Sequence, residues 1–167
     1  MARVLVAYAS KYGSTREIAE AVARRLGGRG VEVEVRAAGE VRNLAGFSAV
    51  VLGVALYFFR WRGDASRFVR RNRKALSAVP VAVFGSGPME DKAEQYTGAR
   101  EHLDKGLAKH PWLKPAAVTV FGGRFDPTGL RFPDNMPAVR AMAPVDLRDW
   151  DAIDAWADEL PGELGID

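Results

Sequence analysis

Short apolar segments without charge alternate with longer amphipathic segments along this 167-residue chain. Continuous apolar runs of this length are typical of strands that are buried on both faces of a parallel sheet. These runs are residues 4–8, 49–56, 79–84 and 116–121. Val31, Val33 and Val35 instead alternate with charged residues. This pattern indicates a fifth strand with one wetter side, such as a sheet edge.

Apolar residues at helical spacing lie between the strand-like segments. They are Ile18, Ala19, Val22, Ala23 and Leu26, then Phe68, Val69 and Leu76, then Leu103 and Leu107, and finally Ile153, Trp156, Ala157 and Leu160. Gly27 and Gly28 are predicted to end the first helix. Asp64 is predicted to cap the second, and Asp91 with Glu94 has the spacing of a capping box for the third.

This alternation predicts an α/β fold, with a doubly wound sheet of five parallel strands, helices on both faces and right-handed crossovers. A chain of this length forms one domain of ordinary size, so residues 1–167 are expected to be a single domain. The sequence contains no cysteine, which excludes disulfides, thiol catalysis and cysteine-ligated metal sites. Redox chemistry would therefore need a bound cofactor.

The junction of the first strand and first helix, residues 8–17, has the composition of a phosphate-binding loop. Backbone N–H groups at the start of a helix lack intrahelical partners and carry partial positive charge, so they bind anions. Ser10, Ser14 and Thr15 add hydroxyl donors. Gly13 allows a tight turn or a close approach of the backbone.

Charge and position favour the binding interpretation of this loop. Lys11 and Arg16 place positive charge at its mouth. Ligands of open α/β sheets also bind at the carboxyl ends of the strands, where this loop is predicted to lie. The alternative is purely structural, because Ser14 and Glu17 have the spacing of a capping box, and such boxes open many helices that bind nothing.

The net charge of +3 is distributed unevenly. Basic residues crowd one segment, at Arg60, Arg62, Arg67, Arg70, Arg71, Arg73 and Lys74, whereas acidic residues dominate residues 146–167. One interpretation is a solvated basic helix. The other is a surface for an anionic small-molecule substrate, an acidic redox partner or a membrane headgroup layer. No nucleic-acid-binding motif accompanies the arginines, so nucleic acid is not an expected partner.

No segment predicts insertion into a membrane or a metal site. The longest uncharged apolar run, residues 49–59, is shorter than the roughly 20 residues that a transmembrane helix needs. Lys11 and Gly13 interrupt the N-terminal apolar stretch too early for a signal peptide, so a cytoplasmic location is expected. His102 and His110 are expected to be surface residues rather than metal ligands.

Residues 6–22 resemble the phosphate-loop pattern of flavodoxins. The matching residues are Tyr8, Ser10, Gly13, Thr15, Ala19 and Val22, whereas Ala7 stands where a larger residue is usual. Other segments are similar to the flavodoxin-domain group that includes menaquinone-dependent protoporphyrinogen oxidase, namely residues 50–53, 56–57, 60–61, 121–123 and 148–150. The resemblance spans nearly the whole chain and implies a flavodoxin-like sheet with strand order 2-1-3-4-5.

This resemblance implies a non-covalently bound FMN, held by the loops after strands one, three and four. The phosphate would be bound by the backbone of Lys11, Tyr12, Gly13, Ser14 and Thr15 and by the hydroxyls of Ser10, Ser14 and Thr15. Tyr57, Phe58, Phe59 and Trp61 would flank the isoalloxazine ring, and Ser86 and Gly87 would cover its pyrimidine edge. The alternatives are core packing for the aromatic residues and an ordinary turn for residues 85–88.

Phe59 stands where many relatives have glycine. In those relatives the peptide flips, so that its carbonyl accepts a hydrogen bond from N5 of the reduced flavin. Phenylalanine resists the positive φ that such a flip needs. This departure implies weak stabilisation of the one-electron-reduced flavin, and it favours two-electron transfer over one-electron carriage.

Residues 124–144 occupy the place of a long extra segment in protoporphyrinogen oxidases of this type. Here the segment is shorter and is broken by Pro127, Pro133 and Pro137, which argues against membrane or quinone docking by it. It is predicted to be an irregular surface loop. The alternative is a flap over the flavin that admits substrate.

These features favour an FMN-dependent oxidoreductase of flavodoxin fold, in which the cofactor performs the redox step and no protein side chain is assigned as a catalytic acid or base. The leading hypothesis is a dehydrogenase or oxidase that passes electrons to a quinone, similar to protoporphyrinogen oxidase. This function is compatible with peripheral contact between the protein and a membrane. One alternative is a flavodoxin-type electron carrier with a redox partner. Another is a non-catalytic module that binds a phosphorylated ligand or a partner protein.

Overall fold

The computed structural model describes residues 2–57, 60, 61 and 63–167, with only the backbone of Tyr57 and Arg60. Five parallel strands form the main sheet: β1 (Arg3–Ala9), β2 (Glu32–Ala37), β3 (Ala49–Tyr57), β4 (Val81–Ser86) and β5 (Ala117–Phe121). Their order across the sheet is β2-β1-β3-β4-β5. The predicted α/β fold and its strand order 2-1-3-4-5 are confirmed.

Strand register brings three loops to one edge of the sheet. Ala9 at the end of β1 is level with Val54 of β3, and Ala55 is level with Ser86 at the end of β4. The chain therefore leaves β1, β3 and β4 at neighbouring positions along the same edge. This is the arrangement that ligand sites of open parallel sheets require.

The described residues contain six α-helices: α1 (Ser14–Gly27), α2 (Gly63–Arg71), α3 (Arg73–Ser77), α4 (Ala93–Ala108), α5 (Pro137–Arg140) and α6 (Trp150–Leu164). The first helix ends at Gly27 and Gly28, as predicted. The predicted second helix is divided, and Leu76 lies on α3. The division lies at buried Asn72, whose side-chain amide donates to the Phe68 carbonyl at 2.9 Å.

Two predicted caps differ from the structure. Helix α2 already includes Gly63, so Asp64 lies in its first turn rather than at its cap. The cap residue of α4 is Lys92, and no side chain among the described residues caps this helix by a hydrogen bond. Asp91 and Glu94 therefore do not form a capping box, because the helix begins one residue later than their spacing requires.

Alternate residues of each central strand face two separate cores. Leu5 and Leu52 face the layer formed by α2, α3 and α4. Val4 and Val6 face α1 and α6 on the other side. This pairing explains the continuous apolar runs in the sequence, because both faces of the central strands are covered.

A close aromatic contact fixes the middle of the second core. The Phe84 ring lies 5.9 Å from both the Phe121 and the Trp156 ring. A Cβ atom on Gly53 would lie 2.3 Å from the Phe84 ring, so only glycine fits at that position of β3. In the described part of the chain, no helix is long and apolar enough to cross a bilayer.

Candidate cofactor site

The loop between β1 and α1 turns at Gly13. Its φ of +88° lies in the left-handed region that favours glycine. The Gly13 N–H donates to Ser10 Oγ at 3.1 Å, and its carbonyl accepts a hydrogen bond from the Glu17 N–H at 3.0 Å. Gly13 is therefore the cap residue and Ser14 is the first helical residue, so the predicted Ser14–Glu17 capping box is wrong.

After this turn, the first residues of α1 have hydrogen-bond donors without partners within the helix. The N–H groups of Ser14, Thr15 and Arg16 precede the first residue that can find an acceptor within the helix. Thr15 is completely buried, and its Oγ1 has no hydrogen-bond partner among the described residues. Burying such a group without a partner costs about 1–3 kcal/mol. A phosphate oxygen would satisfy the hydroxyl and the backbone donors together, so the loop fits the phosphate of FMN.

A distant segment contacts this loop from outside. Lys11 Nζ donates to Asp134 Oδ2 at 2.5 Å, and the Tyr12 hydroxyl bonds to the same oxygen. The Arg131 guanidinium donates to the Lys11 carbonyl at 3.4 Å, and the Arg131 N–H donates to the Tyr12 hydroxyl at 3.4 Å. The hydrogen bonds from Lys11 and Tyr12 hold the pKa of Asp134 below its ordinary value.

Arg131 and Asp134 were not predicted to be neighbours of the loop. Residues 124–144 were predicted to be an irregular surface loop, but the short strand Arg124–Phe125 at the start of this segment pairs with Val145–Asp146, which directly follows it. Part of it lies against Lys11 and Tyr12. No local pattern marks this contact, because more than 100 residues separate its two sides.

Two arginines flank the first turn of α1. Glu17 lies 3.5 Å from the Arg124 guanidinium and 3.3 Å from that of Arg148. The Arg148 side chain is only 5% exposed and also pairs with Asp146 at 2.8 Å. These carboxylates, with Asp146 contributing most, raise the pKa of Arg148. The helix start therefore lies in a network of fixed, compensated charge.

The aromatic part of the predicted site is only partly described. Phe58, Phe59 and the side chain of Tyr57 lie outside the described residues. The backbone returns from β3 through the short strand Arg60–Trp61, with Trp61 opposite Leu56. The structure therefore gives no side-chain geometry for three of the four predicted ring contacts.

Trp61 lies against α4. Its indole N–H donates to the Leu103 carbonyl at 3.3 Å, and a Cβ atom on Gly106 would lie 2.0 Å from the indole nitrogen. Its ring centroid is 6.1 Å from that of His110. These contacts are those of the core-packing alternative for Trp61, and its place beside the flavin stays a prediction.

His110 is buried, and its expected surface position is wrong. Only 6% of the residue is exposed, because the rings of Trp61 and Trp112 cover it. Burial is the main cause that lowers its pKa, followed by the positive charges of Arg70 and Lys109. His102 is half-buried on α4. No group of three or more metal-ligating side chains occurs in the part of the chain that the structure describes.

The third predicted loop adjoins the end of β5. Ser86 is buried at the end of β4, and the Gly87 N–H donates to the Phe121 carbonyl at 3.3 Å. The Gly123 N–H donates to the Pro88 carbonyl at 2.8 Å. Ser86 and Gly87 therefore lie on the same sheet edge as the phosphate loop.

Comparisons with known proteins agree with this geometry. The chain matches the flavodoxin domain family over residues 5–141. Flavodoxin 2 from Bacillus cereus is 18% identical, with 97% of this chain and 99% of that chain covered and a TM-score of 0.62. A cysteine-to-serine mutant of the Pseudomonas aeruginosa flavodoxin is 13% identical, with coverages of 98% and 99% and a TM-score of 0.63.

A third solved structure, a short-chain flavodoxin associated with a non-canonical PDU bacterial microcompartment, is 16% identical over 100% of both chains, with a TM-score of 0.61. No significant sequence match was found among curated proteins. The link to the protoporphyrinogen oxidase group stays a sequence resemblance. The family match, with the fit of the β1–α1 loop to a phosphate, identifies FMN as the cofactor. The chain belongs to the flavodoxin domain family.

Proposed function

We propose that this protein is an FMN-dependent electron-transfer protein that exchanges electrons with a separate redox partner. The observation that carries the proposal is the buried Thr15 hydroxyl, which has no partner among the described residues and lies at the start of α1. The flavodoxin family match supports it. FMN, when bound, supplies the redox chemistry, and the protein supplies binding, orientation and access.

The phosphate loop performs the binding step in this proposal. The N–H groups at the start of α1 and the hydroxyls of Ser10, Ser14 and Thr15 hold the phosphate. Lys11 adds positive charge, Gly13 shapes the turn, and Tyr12 anchors it. Ser86 and Gly87 cover the pyrimidine edge, and Tyr57, Phe58 and Phe59 flank the ring.

The proposed partner is acidic. Five cationic side chains on α2 and α3 are exposed: Arg67, Arg70, Arg71, Arg73 and Lys74. Such a face attracts negatively charged proteins and speeds their association at low ionic strength. An Arg70→Glu, Lys74→Glu variant should slow electron exchange and lose most of its salt dependence, whereas Arg24→Glu on the opposite helix layer should not. Unchanged rates in the double variant would leave this face as an ordinary solvated surface.

A second candidate is a two-electron dehydrogenase that passes electrons to a quinone, similar to protoporphyrinogen oxidase. Phe59 in place of glycine favours this candidate, because a flipped peptide there is costly and the one-electron-reduced flavin would lose that hydrogen bond. The basic face would then attract an anionic substrate.

Absorption spectroscopy separates these functions. We expect flavin bands in the purified protein, or quenching of FMN fluorescence on addition of the cofactor. Stepwise anaerobic reduction then gives a large one-electron-reduced population for the carrier and direct two-electron reduction for the dehydrogenase. A protein that neither retains nor quenches FMN would contradict both redox functions and leave only a non-catalytic binding module.

A further inference from the structure

Residues 122–149 form a strap along the carboxyl edge of the sheet. The strap is closed at its base, where the Leu147 N–H donates to the Gly123 carbonyl at 2.9 Å and Arg124 is paired with Asp146. A Cβ atom on Gly122 would lie 2.2 Å from the Leu147 carbonyl oxygen, so the base needs glycine for this close approach.

The strap joins two of the loops assigned to FMN. At its base, Gly123 bonds to Pro88 in the third loop. In its middle, Arg131 and Asp134 bond to Lys11 and Tyr12 of the phosphate loop. These contacts fix the side chain and the carbonyl of Lys11 and the hydroxyl of Tyr12, immediately before the Gly13 turn.

We propose that Asp134 is a positioning residue for FMN: its carboxylate clasps Lys11 and Tyr12, holds the phosphate loop in its binding geometry and slows release of the cofactor. This inference rests on the proposed phosphate site. Asp134 acts through Lys11 and Tyr12, and the benefit arises because a loop that is ordered before binding loses less conformational freedom when the ligand enters.

Burial and charge support the clasp. The side chains of Lys11 and Asp134 are 29% and 27% exposed, so the ion pair is partly shielded from water. A single oxygen of Asp134 receives both Lys11 and the Tyr12 hydroxyl, which ties two adjacent loop residues to one point. The clasp therefore restrains the loop more than an isolated surface ion pair would.

A carboxylate that merely lies near the phosphate would have the opposite effect. Such a group repels the phosphate, so neutralising it would strengthen binding and slow release. Neutralising a clasp frees the loop and accelerates release. The direction of the change in release rate therefore separates the two roles of Asp134.

The test measures FMN release from loaded protein, by following FMN transfer to an excess of a tight-binding apoflavodoxin. We expect Asp134→Asn to release FMN roughly three- to tenfold faster than the wild type. Tyr12→Phe, which removes one hydroxyl without changing charge, should also accelerate release. Asp126→Asn is the matched control, because Asp126 bonds to Thr128 and lies 3.8 Å from Arg124, and the structure shows no bond from it to Lys11 or Tyr12 among the described residues. FMN release from this variant should be as fast as release from the wild type.

A second readout uses proteolysis of the strap. By linkage, if the clasp favours bound FMN, bound FMN must favour the closed clasp. FMN should therefore slow tryptic cleavage after Arg131 in the wild type and have little effect in Asp134→Asn. Thermal melting of each apoprotein checks that the variants fold.

The outcomes separate this inference from the function on which it rests. A wild-type protein that retains no FMN would contradict the proposed function and the clasp together. A wild type that retains FMN, with Asp134→Asn releasing it at the same rate or more slowly, would overturn the clasp alone. If Tyr12→Phe released FMN at the wild-type rate, the Tyr12 hydroxyl would have no part in the clasp.

Discussion

The phosphate loop and Trp61 were both expected to contact the flavin, but the hydrogen bonding of their side chains differs in the folded chain. The Thr15 hydroxyl is completely buried without a partner among the described residues. The Trp61 N–H is already paired with the Leu103 carbonyl, and its ring packs against α4. The buried Thr15 donor is therefore available to a phosphate oxygen, whereas the Trp61 donor is already satisfied within the protein.

Replacing the unsatisfied hydroxyl should produce the largest effect. Thr15→Val keeps the shape of the side chain but removes the donor to the phosphate. A hydrogen bond to a charged group contributes about 1.5–3 kcal/mol, so FMN should bind roughly 10- to 150-fold more weakly by fluorescence titration. The apoprotein should melt at the same or a higher temperature, because the lost hydroxyl had no partner among the described residues.

Ser77→Ala is the control for this variant. The exposed Ser77 side chain donates to the Arg73 carbonyl on α3, so its loss should not change FMN affinity. If Thr15→Val bound FMN as tightly as the wild type, the Thr15 hydroxyl would not bind the phosphate, and the proposed difference between the phosphate loop and Trp61 would be wrong.

The next largest effect should be a loss of protein stability when an added methyl group crowds Trp61. A methyl group at Gly106 would lie 2.0 Å from the Trp61 indole nitrogen, so Gly106→Ala should lower the free energy of unfolding by about 1–2 kcal/mol. Chemical denaturation measures this loss. A methyl group at Gly98 on the same helix would meet no described atom within 4 Å, so Gly98→Ala should be slightly stabilising. Equal stability of both variants would show that Trp61 does not pack against Gly106.

Replacing Trp61 by a smaller aromatic residue should reduce the free energy of unfolding by less. Trp61→Phe removes the hydrogen bond to Leu103 and part of the ring, so we expect a loss of about 1 kcal/mol in unfolding free energy. FMN affinity should change by less than about threefold if Trp61 is a packing residue. The opposite pattern, with unchanged stability and FMN affinity reduced more than about tenfold, would place Trp61 beside the flavin.

The smallest predicted effect is on the pH dependence of protein stability, through His110 beside Trp61. Burial lowers the pKa of His110, so the unfolded chain takes up a proton on this residue at a higher pH than the folded protein does. Stability from this residue is complete above its ordinary value of 6.5 and falls as the pH drops from there through the lowered folded pKa. His110→Phe should flatten this part of the stability profile in thermal melts at a series of pH values. An unaltered slope would contradict the burial of a neutral imidazole.

The sequence predicted what depends on local patterns. Uninterrupted apolar runs identified the covered strands, and the hydroxyl-rich turn at Gly13 identified the loop at the start of α1. Ser14 was expected to cap the helix but is its first residue, because the left-handed turn at Gly13 makes Gly13 the cap.

Long-range contacts could not be predicted in the same way. The ties from Asp134 to Lys11 and Tyr12 join segments more than 100 residues apart, and no periodicity marks them. His110 is buried because two tryptophans from different segments meet over it. The tertiary contacts of a histidine or a tryptophan decide its role, so the sequence around each residue carries little information about that role.

Binding of the FMN phosphate by the β1–α1 loop is the claim on which the proposed function depends most. Parallel titrations of the apoprotein with FMN and riboflavin, which differ only in that phosphate, test it directly. We predict that FMN binds at least about 100-fold more tightly than riboflavin does. The Thr15→Val variant should show a smaller difference between the two affinities. Equal affinities for the two flavins, or a preference for riboflavin, would contradict the claim.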